Sequence, residues 1–335
     1  MSSTIYSKIV STGVYLPKKI VTNKDLEKVM DTSDEWIQQR SGIVERRWSS
    51  PGETMCSMST AASQAALKNA GLEANDIDAI IYSSLLSDYI FPGTGCLLQE
   101  SLGCEKTIPA LDVRNQCSGF LYALSIADAW IRTGTYKRIL IATCEIHNTS
   151  MDKSPAGRDT SVLFGDGAAS VIVEASTDPK SCVMDITLAS QGKYAKKLVL
   201  ERPSPNDEAR IHEKLLEDPK RYPYMDGKYV FKNAVERMTE SMKEIAARNK
   251  VEVSDIDFVI PHQANKRIIQ MVLEQLQIPE NKTHYTLDRF GNTTSVTIPL
   301  TLHECLEQKK IKRGDLIAFT AFGSGFTWGS ALVRF

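Results

Sequence analysis

The sequence predicts an α/β fold made of two similar βαβ-rich halves, with sheets covered by helices on both faces. Three observations lead there. At 335 residues the chain exceeds most single cores, which favours two domains or one large α/β unit. It also repeats itself. AASQAALKNAGLEANDIDAIIYSS at 61–84 reads as a helix, a polar turn and a buried strand, and ESMKEIAARNKVEVSDIDFVIPHQ at 240–263 keeps that order. Asp76-Ile77-Asp78 is answered by Asp255-Ile256-Asp257, 179 residues further on. Finally, runs such as Ala79-Ile80-Ile81 and Leu316-Ile317-Ala318-Phe319 are continuously apolar and separated by helices, as strands buried on both faces require.

The elements follow in order. After the unit at 61–84, the stretch from Cys117, CSGFLYALSIADAWIRTGTYKRILIAT, gives a helix and then a strand. Its partner in the second copy is SVTIPLTLHECLEQKKIKRGDLIAFTA, from Ser295. Each copy ends in a glycine turn suited to a hairpin and feeding a β-rich run: Phe164-Gly165-Asp166-Gly167 and Phe322-Gly323-Ser324-Gly325. We divide the chain into an amino-terminal half, 1–175, and a carboxy-terminal half, 176–335, which begins with a polar, proline-bearing surface excursion to about residue 230. Long excursions of this kind often cover the entrance to a site.

Composition bounds the function. Hydrophobic residues at 42% and charged residues at 24% exclude disordered, collagen-like and coiled-coil classes. With 40 Lys+Arg against 41 Asp+Glu, no global field recruits nucleic acid or an anionic membrane, so a charged partner must meet a local patch. The start lacks an apolar leader core and no run approaches the roughly 18 apolar residues of a membrane span, so a cytoplasmic protein is expected. The seven cysteines are odd in number, scattered and free of CxxC pairs, which argues against a disulfide framework or a structural zinc site. No metal site is expected, and most of the cysteines should be small buried hydrophobes.

Position singles out Cys117, where the extended run Leu111–Val113 gives way to a helix rich in Phe120, Leu121 and Leu124. Unpaired N–H groups and the positive dipole end at a helix start favour thiolate, and Ser118-Gly119 keeps the first turn slim enough for a thioester to approach. Among five histidines, His262 follows the buried strand Asp257–Ile260 through Pro261, at a strand end where α/β sites form. In the duplicated frame Cys117 maps near Asn292, in the polar elbow FGNTTS. Cysteine, histidine and an amide donor together suit acyl transfer, because the last two can bind a developing oxyanion. His147, His212, His284 and His303 read as surface or core residues.

NQCSGF, PHQANKRI, RFGNTTS and AFGSGFTWGSALVRF, in that order, together with SKIVSTGVYLP and TSDEWIQQRSGI near the start, resemble β-ketoacyl-acyl-carrier-protein synthase III over essentially the whole chain. The resemblance implies the thiolase-like fold of two duplicated αβαβα-type halves. It implies that Cys117 takes an acyl group from acyl-CoA, which is a substrate rather than a cofactor. His262 and Asn292 then stabilise the enolate formed as malonyl-acyl-carrier protein loses carbon dioxide. The product is a 3-oxoacyl-carrier protein that initiates fatty acid synthesis. The N–H groups of Cys117 and Ser324 would form the acyl oxyanion hole, with Phe322 aiding decarboxylation. Trp36, Arg40 and Arg158 would hold the CoA nucleotide, Lys232 and Arg267 would receive the acidic carrier protein, and Phe91 would line the acyl pocket of the partner in a homodimer.

Three departures stand out. Asn115-Gln116 occupies a place where relatives carry small residues, Ser324 interrupts a glycine run, and Lys266 replaces an apolar residue. The rival within the fold is a specialised CoA-dependent acyltransferase or ketosynthase of secondary metabolism. A degradative thiolase is disfavoured because AFGSGFTWG lacks a second cysteine, and hydroxymethylglutaryl-CoA synthase because YSSLLSDY offers no glutamate. A non-catalytic carrier-binding scaffold is the rival outside enzymes, and joint retention of Cys117, His262 and Asn292 speaks against it.

Overall fold

Side chains alternate across each central strand, so one strand feeds two cores. In Ala79–Ser83, Ala79 and Ile81 face inward while Ile80 and Tyr82 face the opposite layer. The same alternation places Phe258 and Ile260 of Phe258–Pro261 in the central core and Val259 in the outer one. A computed structural model describes residues 4–206 and 209–335 and shows the layers that this alternation requires.

The first sheet runs, in spatial order, Tyr6–Tyr15, Gly167–Ser176, Arg138–Glu145, Ala79–Ser83 and Ala110–Val113. The second runs Cys182–Ser190, Thr327–Arg334, Leu316–Gly323 and Phe258–Pro261. Directions agree as well: in each sheet the first two pairings are antiparallel and the third is parallel. The duplication read from sequence is therefore a duplication of topology. Helices Gly119–Arg132 and Thr297–Glu307 lie between the sheets, and their apolar residues (Phe120, Leu121, Leu124, Ile298 and Leu302) form the central core. Helix Met55–Ala70 covers the outer face of the first sheet, and Gly227–Arg248 that of the second. Met55–Ala70 starts where the Thr54 side chain accepts from Ser57 N–H in a capping box, and it ends at left-handed Gly71.

Three readings need correction. The glycine turn at 322–325 joins the antiparallel pair Leu316–Gly323 and Thr327–Arg334, but the turn at 164–167 makes no hairpin. There Gly167 pairs with Glu145 across a connection spanning 146–166, and Asp166 staples it by accepting from His147 N–H at 2.7 Å and Ser49 N–H at 2.8 Å. The surface excursion starts later than expected, because Cys182–Ser190 is an edge strand of the second sheet paired with Thr327–Arg334. The excursion proper follows it and is tied down where Leu198–Val199 pairs with Tyr224–Met225. Lastly, the matching elbows are the short turns Gln116–Ser118 and Thr294–Val296, so the counterpart of Cys117 is Ser295, as the paired stretches imply, and Asn292 lies three residues before it.

Candidate active site

Both elbows are left-handed one residue before the position that matters, at Gln116 (φ +44°) and Thr294 (φ +53°), and they pack against each other at the centre of the molecule. The chain thus delivers Cys117 from one half beside residues of the other. Cys117, His262, Asn292 and Phe322 line one cavity of about 580 Å³, and Trp36 and Arg40 line it too. Cys117, His262 and Asn292 are only 8%, 5% and 6% exposed.

The neighbour of Cys117 is backbone. A Cβ built on Gly323 would come within 2.8 Å of Cys117 Cβ, so only glycine lets this turn approach so closely. Ser118 and Gly119 serve a different purpose from the one expected. Ser118 is fully buried with its hydroxyl 2.8 Å from Thr327 Oγ1, and a Cβ on Gly119 would meet Ser83 Oγ at 2.2 Å. Their smallness fits the helix to the sheet, and neither residue lines the cavity.

Burial also overrides the expected thiolate. It pushes the Cys117 thiol up to about 12, reinforced by Glu145. Burial likewise holds His262 down to about 3, so thiol and imidazole are both neutral at working pH. Glu145, at the end of Arg138–Glu145, accepts from Ser295 Oγ at 2.7 Å and Leu85 N–H at 3.2 Å, and burial raises it to about 8. It is therefore mostly protonated at neutral pH. Alkylation of Cys117 by iodoacetamide, followed by mass analysis of its peptide, should accelerate roughly tenfold per pH unit from pH 6 to 9. A plateau near pH 7 would show that the helix-start field outweighs burial.

Each amide or ring is oriented by a named partner. His262 follows Phe258–Pro261, donates its backbone N–H to Thr320 O at 2.8 Å, and places Nδ1 2.7 Å from Thr297 Oγ1. Asn292 forms a parallel bridge with Phe164. Its Oδ1 accepts from Thr294 N–H at 2.8 Å, which leaves the donor end, Nδ2, for the cavity. Phe322 is buried against Phe326 at 4.8 Å between centroids. Ser324 donates its hydroxyl to Leu198 O, which fastens the glycine turn to the excursion and directs the side chain away from Cys117.

At the mouth, helix Asp34–Ser41 begins under the Ser33 cap and presents Trp36, with the Arg40 guanidinium 5.3 Å and that of Arg158 4.7 Å from the ring centroid. Arg158 also donates to Asp31 O at 2.9 Å. Arg267 lines the cavity with its guanidinium 5.6 Å from Phe231, while Lys232 is exposed on Gly227–Arg248. Lys266 is exposed, its ammonium 5.2 Å from the Tyr285 ring, and Asn115 donates to Ser118 Oγ at 3.1 Å. Phe91 stands apart: it is 85% exposed, beside exposed Tyr89 and Ile90, on a loop outside the cavity. Sequence reasoning missed Thr294, Thr297 and Glu145. The strand-end rule that found His262 also points to Glu145.

The model of 3-oxoacyl-[acyl-carrier-protein (ACP)] synthase III matches residues 111–192, and that of its C terminal region matches residues 246–335. A β-ketoacyl-[acyl-carrier-protein] synthase III of Methylococcus capsulatus is 42% identical over 330 residues, covering 98% of this chain and 99% of that protein. The chain belongs to this family. It is thus an acyl-transferring condensing enzyme of the class that starts fatty acid synthesis. The crystal structure of the family member from Aquifex aeolicus superimposes with a TM-score of 0.90 at 41% identity, covering 98% of this chain and all of that one. A priming β-ketosynthase from the R1128 polyketide biosynthetic pathway gives 0.89 at 29% identity, covering 99% and 97%. The fold is accordingly the thiolase-like one that the resemblance implied. Among the described residues, no helix is long and apolar enough to cross a membrane.

Proposed function

We propose that Cys117 Sγ attacks the carbonyl of an acyl-CoA thioester, that CoA leaves with the thiol proton, and that malonyl-acyl-carrier protein then enters the same cavity. Loss of carbon dioxide leaves the electron pair of the broken C–C bond on an enolate, whose oxygen accepts from His262 Nε2–H and Asn292 Nδ2–H. The carbanion end attacks the acyl-cysteine carbonyl, and Cys117 departs as a thiolate that takes up a proton from solvent as the 3-oxoacyl-carrier protein forms. The Nε2–H tautomer this needs follows if Thr297 donates its hydroxyl proton to Nδ1. The carrying observation is the convergence of Cys117, His262 and Asn292 on one cavity from two halves of the chain.

The other roles follow from position. Main-chain N–H groups of Cys117 and Ser324 form the acyl oxyanion hole, because Gly323 brings that turn against the nucleophile. Phe322 supplies an apolar wall beside the leaving carboxylate, whose negative charge is lost as carbon dioxide departs. Trp36, Arg40 and Arg158 clasp the nucleotide, and Lys232 and Arg267 at the mouth meet the acidic carrier protein. Acyl-CoA is a substrate and no cofactor enters any step. The enzyme is read as a cytoplasmic homodimer. Its support is the exposed trio Tyr89, Ile90 and Phe91, an apolar patch suited to burial against a second copy, with Phe91 entering the partner's acyl pocket.

A starter panel tests this. Native enzyme given acetyl-, butyryl- or octanoyl-CoA should gain the acyl mass on Cys117 and release 3-oxoacyl product with malonyl-carrier protein. Phe91→Ala should raise the octanoyl-to-acetyl rate ratio about tenfold, since each methylene in such a pocket is worth roughly 1–3 kcal/mol. An unchanged ratio, or full activity in a monomer by light scattering, removes Phe91 from the pocket. Cys117 that gains no acyl mass from any starter overturns the reading as a whole.

A further inference from the structure

We propose that His147 and Thr294 form the positioning device of the decarboxylation site, aligning both oxyanion donors without touching substrate. This deepens the reading above and rests on His262 and Asn292 being those donors.

Thr294 is a hub. Its N–H donates to Asn292 Oδ1 at 2.8 Å, and its carbonyl lies 3.0 Å from Thr297 Oγ1. The same Thr297 oxygen lies 2.7 Å from His262 Nδ1. One peptide unit to each side of a single residue therefore supports both donors. Thr297 has one hydroxyl proton to divide between Thr294 O and His262 Nδ1, so where Thr294 O sits bears on which tautomer His262 adopts.

Thr294 holds this place in a left-handed conformation, φ +53°, that a β-branched residue rarely adopts. The first elbow has the same backbone at Gln116, so the conformation belongs to the duplicated turn. Particular to the second elbow is an anchor for its side chain: Thr294 Oγ1 lies 2.6 Å from His147 Nε2. His147 is itself fixed, 3% exposed, with its N–H on Asp166 Oδ1 at 2.7 Å and its ring 4.9 Å from that of Phe164. Phe164 bridges to Asn292 through the backbone, so the ring braces the elbow from a second direction. Burial holds the His147 imidazole below its usual value, which favours the neutral ring.

The test separates the partial reactions. His147→Leu and Thr294→Val each remove the contact at similar volume, and either one suffices should the other fold poorly. Each should slow malonyl-carrier-protein decarboxylation roughly ten- to hundredfold, as small misplacements of reacting groups do. KM for that substrate and the rate of Cys117 acylation should stay within about twofold of native. His147→Gln, which keeps a polar atom near Nε2, should recover most of the loss, and the double variant should be no slower than the worse single one. Decarboxylation at the native rate in both single variants overturns the proposal. So does equal loss of acylation, which marks a general packing role, or additive losses in the double variant. His262→Ala and Asn292→Ala run alongside: if they decarboxylate normally the underlying reading falls, whereas if they fail while His147→Leu does not, only the positioning role falls.

Discussion

Cys117→Ser is expected to lower acylation and condensation to below about a thousandth of the native rate, while malonyl-thioester decarboxylation continues. The sulfur already works against its surroundings, since burial pushes its thiol up to about 12. A hydroxyl starts several units higher still and makes a poorer nucleophile and leaving group. In the proposed mechanism decarboxylation uses a different set, His262 and Asn292, which the substitution leaves in place. The fold should survive, because oxygen for sulfur removes volume at a site already closed by Gly323. Measuring acyl mass on the residue 117 peptide together with carbon dioxide release checks both halves. Substantial condensation in the variant would sink the assignment of Cys117.

What sequence could and could not show divides along physical lines. The duplicated fold was legible because a strand buried on both faces, such as Ala79–Ser83, must be apolar throughout, and the same pattern recurs at Phe258–Pro261. That Cys117, His262 and Asn292 would share one cavity was legible because each stands at a strand end or elbow. The turn at 164–167 was misread because Phe-Gly-Asp-Gly resembles a hairpin locally, whereas Asp166 is committed to distant N–H groups of His147 and Ser49. Cys182–Ser190 hid for a related reason: only Cys182, Val183 and Thr187 are buried on this edge strand, so no strong period marks it. His147 read only as a surface or core residue, and it is buried. Its contact with Thr294 spans 147 residues, and nothing in either local sequence announces it.

His262→Ala and Asn292→Ala should give the reverse of the serine variant, with normal acyl transfer to Cys117 and decarboxylation reduced about 10²- to 10³-fold, the usual cost of one oxyanion donor. In the proposed mechanism each donor acts after carbon dioxide begins to leave, when negative charge reaches the thioester oxygen, so the loss should fall on kcat rather than KM. The two variants should differ in stability. Removing the His262 ring frees the Thr297 hydroxyl to donate to Thr294 O instead, so little is orphaned. Removing the Asn292 amide takes the acceptor from buried Thr294 N–H, which costs about 1–3 kcal/mol. Asn292→Ala should therefore melt several degrees lower, and its rates must be read per folded molecule. If either variant lost acylation alone and kept decarboxylation, the division of labour between Cys117 and the two donors would be wrong.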